Sequence, residues 1–163
     1  MTSDTLHQLD PEGMYDAIRQ FPEQLADGRR RALDVDLTVT LDDVEHEVIV
    51  GKGGSAIGGD LLRTILLDTA HVPLFVSRSY RLPSFVGRNT LVIASSYSGN
   101  TEETLSGLAQ AQAREARIVC LTSGGKLREI AQAHDYPCIL MPGGFQPRAA
   151  LGYSFGALLA LAE

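Results

Sequence analysis

Residues 48–60 read Val48-Ile49-Val50-Gly51-Lys52-Gly53-Gly54-Ser55-Ala56-Ile57-Gly58-Gly59-Asp60. A short apolar run enters a glycine-rich turn, and the turn enters a segment with helical spacing, Ala56 to Leu67. A strand that is apolar on both faces belongs in a parallel sheet covered by helices on both sides. The same unit recurs outward from this point. Apolar runs follow at Leu74 to Val76, Leu91 to Ala94, Ile118 to Leu121 and Ile139 to Met141. Helical segments separate most of them, at Thr101 to Arg114, Leu127 to Ala133 and Ala149 to Ala162. Right-handed crossovers then put every strand-to-helix loop at one edge of the sheet. The fold class is therefore α/β, a doubly wound five-stranded parallel sheet flanked by helices in the flavodoxin-like order 2-1-3-4-5.

Residues 1–45 differ from this alternation and read as an N-terminal helical segment and linker, with the sheet domain at 46–163. Asp10-Pro11 resembles an N-cap followed by proline, and Met14, Ile18, Phe21 and Leu25 recur at helical spacing. Pro22 kinks that helix or starts another. At the far end, Ala149 to Ala162 carries no charged residue and almost no polar face. A helix apolar all round is buried all round. The alternatives are a terminal helix lying in a groove and, favoured here, a cover from outside the domain, either another copy of the chain or a further domain.

Composition excludes several classes. The 163 residues suit one compact domain, and 14 basic against 20 acidic residues leave a net charge of −6. That balance argues against a nucleic-acid partner, since phosphate backbones are held by clustered Lys and Arg. The basic run Arg29-Arg30-Arg31 reads as a solvated helix end. No apolar stretch is long enough to span a membrane, and the first ten residues have no signal-peptide pattern. Cys120 and Cys138 lie in strand-like runs and read as reduced core thiols, which points to the cytoplasm. The four histidines share no metal-ligand spacing with each other or with the cysteines, so no metal is expected.

Two loops carry the chemistry. The first is the 51–60 segment. The second is Ser95-Ser96-Tyr97-Ser98-Gly99-Asn100-Thr101-Glu102-Glu103-Thr104. They follow strands one and three, which neighbour each other at the switch point of a 2-1-3-4-5 sheet, where ligands bind. Gly53 and Gly54 permit a sharp turn and close backbone approach, and the following helix start offers unpaired N–H groups to an anion. Ser55, Ser96, Ser98 and Thr101 add neutral donors. Taken singly, Ser55 reads as a turn or cap residue, and Asn100 with Glu103 reads as a capping box. Convergence of both loops favours an anion site. In a third loop, Pro147 fixes Arg148 at a helix start, where a cation opposes the helix dipole. The alternatives are a functional charge and an arginine paired with a carboxylate. Gly51-x-Gly53-x-x-Ala56 also fits a loose dinucleotide fingerprint, with Arg78 placed to meet the 2′-phosphate of NADP. That reading leaves the second loop unexplained.

The runs GKGGSAIGGDLL, SSYSGNTEETL and QPRAALGYSFGALL, in this order, resemble the first sugar isomerase (SIS) domain of the bifunctional phosphoglucose/phosphomannose isomerase family. The resemblance implies interconversion of glucose 6-phosphate or mannose 6-phosphate with fructose 6-phosphate, with no cofactor. It implies that Ser55, Ser96, Ser98 and Thr101 hold the substrate phosphate, that Gly53 and Gly54 shape the loop, and that Arg148 approaches the sugar. Lys52 stands where that family has Met in a GMGGS motif. The family's glutamate base, its ring-opening histidine and a late lysine lie in a second SIS domain. None of Glu102, Glu103 or Glu163 occupies a motif for the base. The expectation is a phosphosugar-binding domain that is catalytically incomplete by itself. The alternatives are a homodimeric sugar-phosphate sensor and, further behind, the NADP domain.

Overall fold

The computed structural model of the protein describes residues 9–39 and 43–162. The first eight residues, where a signal peptide was sought, and Glu163 lie outside them. Two helices come first, α1 (Met14–Arg19) and α2 (Phe21–Leu33). Pro22 sits in the first turn of α2, so it starts a helix. Asp10 is not the residue bordering α1, which is Gly13. Its carboxylate nevertheless accepts from the amides of Met14 and Tyr15, at 2.9 and 2.7 Å, and so satisfies the free end of the helix from a distance.

The alternation then runs β1 (His46–Val50), α3 (Gly54–Ile65), β2 (Leu74–Ser77), β3 (Thr90–Ser95), α4 (Glu102–Ala113), β4 (Arg117–Thr122), α5 (Gly125–Ala133) and β5 (Cys138–Leu140). A 3₁₀ turn, Pro147–Ala150, leads into α6 (Leu151–Leu161). All four pairings are parallel, in the order β2-β1-β3-β4-β5. The period of two assigns neighbouring strand residues to opposite layers. Ile49, Ile93, Val119 and Leu121 join the core shared with α3 and α6. Val48, Val50, Val92 and Cys120 join the core under α4 and α5. Cys120 and Cys138 face each other across β4 and β5 as free thiols. Burial pushes the Cys120 thiol up to about 12, which keeps it unreactive.

The cover of α6 is not where the sequence placed it. No residue of α6 is exposed, and the layer over it is the chain's own α2. The fit is made by small residues. A side chain on Gly28 would strike the backbone of Tyr153, one on Gly156 would strike that of Leu25, and one on Gly152 would lie 2.5 Å from the Cβ of Gln24. Gln24 is 1% exposed, and its amide donates to the carbonyls of Ala17 and Ala149, which fastens α1 and the 3₁₀ turn to α2. Arg31 is no solvated helix end either. It reaches Asp27 and donates to the Leu140 carbonyl at 2.9 Å, tying α2 to β5.

Gly156→Ala is expected to destabilise the fold by about 1–3 kcal/mol through overpacking. Gly143→Ala, where no atom lies within 4 Å of the added methyl, should stay within about 1 kcal/mol. Thermal denaturation of the two variants beside the parent chain checks this. Equal melting temperatures would remove the tight α2–α6 contact.

Candidate functional site

The loops after β1 and β3 meet at the sheet's carboxyl edge. Gly53 adopts φ 56°, ψ −130°, a conformation closed to residues with side chains, and turns the chain into α3. Ser55, in the first turn of α3, is buried. Its hydroxyl oxygen accepts from the amide of Tyr97 at 3.1 Å, which joins the first loop to the second. Its own proton has no acceptor among the described residues. Ser95 lies below, with its hydroxyl 3.4 Å from the Ser55 carbonyl. In the second loop Ser96 and Thr101 share a hydrogen bond of 2.8 Å between hydroxyls. Ser98 is exposed at the mouth and accepts from the Asn100 amide at 3.3 Å.

The capping box expected from Asn100 and Glu103 is absent. Thr101 borders α4 and makes no side-chain cap, so the first amides of the helix are not taken by it. The side chain of Asn100 turns the other way, accepting from the Lys126 amide at 3.1 Å and donating to the Ser98 carbonyl. Glu103 is ion-paired to Lys52 of the first loop. Glu102 accepts from the Tyr80 hydroxyl at 2.9 Å. Both carboxylates near the anion loops therefore have partners.

The third loop joins the same cluster. A methyl on Gly54 would lie 3.1 Å from the Pro147 carbonyl oxygen and 3.3 Å from the Arg148 amide nitrogen, so the absence of a side chain lets this turn rest on the first loop. Arg148 is exposed. It has no carboxylate partner among the described residues, which removes the reading of an arginine held by an ion pair. Arg78, by contrast, pairs with Asp60.

Sequence reasoning passed over Tyr97. It is 8% exposed. Its hydroxyl donates to the Pro142 carbonyl and accepts from the Phe145 amide, each at 2.9 Å. Its own carbonyl accepts from the Ser123 hydroxyl at 2.7 Å. The apolar end of the aromatic gives no such signal in a sequence. A cleft of about 680 Å³ lies between α1 and the 144–149 segment and is lined by neither Ser55 nor Ser96. The loops form an open shelf instead. No cluster of three metal-ligating residues occurs among the described residues, and none of their helices is long and apolar enough to cross a membrane.

A doubly wound parallel sheet with glycine and hydroxyl residues gathered at its switch point places the domain in the α/β class. Residues 40–144 match the model of the SIS domain, and the chain belongs to that family. It is 49% identical over 148 residues to a bifunctional phosphoglucose/phosphomannose isomerase of Caldicellulosiruptor bescii, covering 91% of this chain and 44% of the relative. It is 44% identical over 110 residues to a D-glucosamine-6-phosphate 4-epimerase of Sulfolobus acidocaldarius, covering 67% and 34% of the two chains. The chain thus spans less than half the length of these relatives. The C-terminal domain of glucosamine-fructose-6-phosphate aminotransferase from Francisella tularensis shares the fold, with TM-score 0.74 and 18% identity over 91% of this chain and 46% of the other.

The Lys52 ion pair holds the Glu103 carboxyl below its ordinary 4.5, helped by the Glu103 amide, while burial opposes it. The pair's contribution is therefore complete above 4.5 and disappears as pH falls through the lower folded value. Lys52 is raised by the same bond, so its share is complete below 10.5 and is lost as pH climbs through the raised value. Lys52→Met should move the Glu103 titration upward toward the ordinary value but not past it, because the Glu103 amide still outweighs burial. Carbon-detected NMR titration of Glu103 reads this directly, and an unmoved midpoint would show the pair to be absent in solution.

Proposed function

We propose that this chain is the phosphosugar-binding SIS part of an aldose–ketose isomerase that interconverts glucose 6-phosphate or mannose 6-phosphate with fructose 6-phosphate. One observation carries the reading. The Ser55–Tyr97 bond draws together two donor-rich loops at the switch point, and Gly54 seats the Arg148 turn against the first of them. In this reading the phosphate sits at the start of α3, against Gly53, Gly54 and Ser55, and takes further hydrogen bonds from Ser96, Ser98 and Thr101. Backbone amides and hydroxyls hold it with little help from net charge. Arg148 reaches the sugar end. When the C2 proton leaves, the electron pair forms the C1–C2 double bond and negative charge gathers on oxygen, and a fixed guanidinium there stabilises it.

The relatives support the phosphorylated hexose more strongly than the reaction. Phosphoglucose, phosphomannose and glucosamine 6-phosphate share it, whereas isomerisation and 4-epimerisation act on different carbons. The base is assigned to protein outside these residues. Glu103 is held ionised by Lys52, and Glu102 is bound to Tyr80. We place the protein in the cytoplasm, where its two thiols remain reduced. The sensing-homodimer reading rested on an uncovered last helix, and α2 covers that helix.

Titration with inorganic phosphate and with fructose 6-phosphate tests the proposal. Ser98→Ala should weaken both by about 1–3 kcal/mol, the cost of a lost hydrogen bond to a charged group. Arg148→Ala should weaken fructose 6-phosphate and leave inorganic phosphate nearly as it was. The pure chain should show no isomerase turnover. Turnover would overturn the assignment of the base to another part of the protein, and equal losses for both ligands in Arg148→Ala would place that arginine at the phosphate instead.

A further inference from the structure

We infer that Tyr97 is a positioning residue: its hydroxyl sets the place of Arg148 relative to the phosphate loops and thereby favours phosphosugars over phosphate alone. The inference rests on the phosphosugar reading above. The phenol has one proton to donate and accepts one bond here, and both engage the 142–145 segment, at Pro142 and Phe145. Between those residues lie Gly143 and Gly144, both exposed, and Gly144 has φ 90°. Such a tip holds its shape only if its two ends are tied. Arg148 follows Phe145 by three residues.

The backbone of Tyr97 completes the link. Its amide donates to Ser55, and its carbonyl accepts from Ser123. One buried residue of the loop after β3 is thus bonded to the loops after β1, β4 and β5. Phenylalanine fills the same ring volume but leaves the Phe145 amide and the Pro142 carbonyl without this partner. The phosphate loops keep their own bond, Ser55 to the Tyr97 amide, because that is made by backbone. The arginine turn alone loses a tie. Inorganic phosphate touches only the first group of loops, whereas a sugar phosphate spans both.

The experiment measures fructose 6-phosphate and inorganic phosphate affinities for the parent chain, Tyr97→Phe, Arg148→Ala and the double variant. The parent should prefer fructose 6-phosphate. Tyr97→Phe, which removes two hydrogen bonds from the arginine turn and none from the ligand, should reduce that preference by about three- to ten-fold. In the Arg148→Ala background the same change should do nothing further, since Tyr97 acts through Arg148. A uniform loss of stability would not produce this pattern. Tyr97→Phe with its preference intact, or losses that add in the double variant, overturns the inference and leaves the phosphosugar reading standing. A parent chain with no preference sinks both. Hydrogen exchange on the parent adds a check that needs no variant: the Phe145 amide should be protected, and fast exchange in the folded chain refutes the tie.

Discussion

The hydrogen bond from the Tyr97 amide to the Ser55 hydroxyl is the point on which the site depends. The two residues stand 42 positions apart and belong to different crossovers. Each loop is set by its own strand and helix, so nothing local brings them together. Their meeting follows from β1 and β3 being neighbours in the sheet, with Val50 opposite Ala94 at the carboxyl edge. The bond is buried, where an unpaired amide would be costly. It therefore fixes the spacing of the loops, and the donors on either side inherit that spacing. The Arg148 turn, which follows the loop after β5, is placed secondarily by contact with Gly54 and by the Tyr97 hydroxyl's bonds to that loop.

Most of the sheet was legible because buried parallel strands leave continuous apolar runs. Each of the five runs lies at a strand, and the strand limits differ by only one or two residues. The motif loops were legible for a related reason, since glycine and hydroxyl residues cluster where backbone must approach a ligand. What hydropathy missed was the partner of α6. The contact between α2 and α6 is made by Gly28, Gly152 and Gly156. Glycines contribute almost nothing to an apolar pattern, although they decide how closely two helices approach. Helix α2 also carries Asp27, Arg30 and Arg31, which made it look like a surface element. Its charged face does lie outward, with Arg30 paired to Asp34 at 3.1 Å, while its glycine face lies on α6.

The roles of Tyr97 and Asn100 were missed for a different reason. Each sits inside a recognisable motif, but its role is long-range. The carboxamide of Asn100 bonds the start of α5, 26 residues away, and not its own helix. A local rule such as the capping box assigns an adjacent partner because the sequence offers one. In the fold, α4 starts at a crowded edge where four loops compete for the same donors. Long-range partners win there because they also satisfy groups on a neighbouring loop.

The electrostatics of the shelf follow from the same crowding. The protein carries a net charge of −6, and Glu102 and Glu103 open the helix that borders the second loop. Unpaired, those carboxylates would repel an anion at the hydroxyls beside them. Lys52 pairs with one and Tyr80 bonds the other. Pairing with Lys52 near ε of about 20 cancels most of the Glu103 field beyond a few ångströms, whereas the neutral Tyr80 hydroxyl only fixes the Glu102 carboxylate in place. The loops themselves offer dipoles and hydroxyls, which select by geometry more than by charge. Arg148 is different. It carries a full charge, exposed and without a carboxylate among the described residues, and is seated by backbone contact on the glycine of the first loop. A cation placed this way adds little to the fold and is suited to meeting charge that a ligand brings or develops.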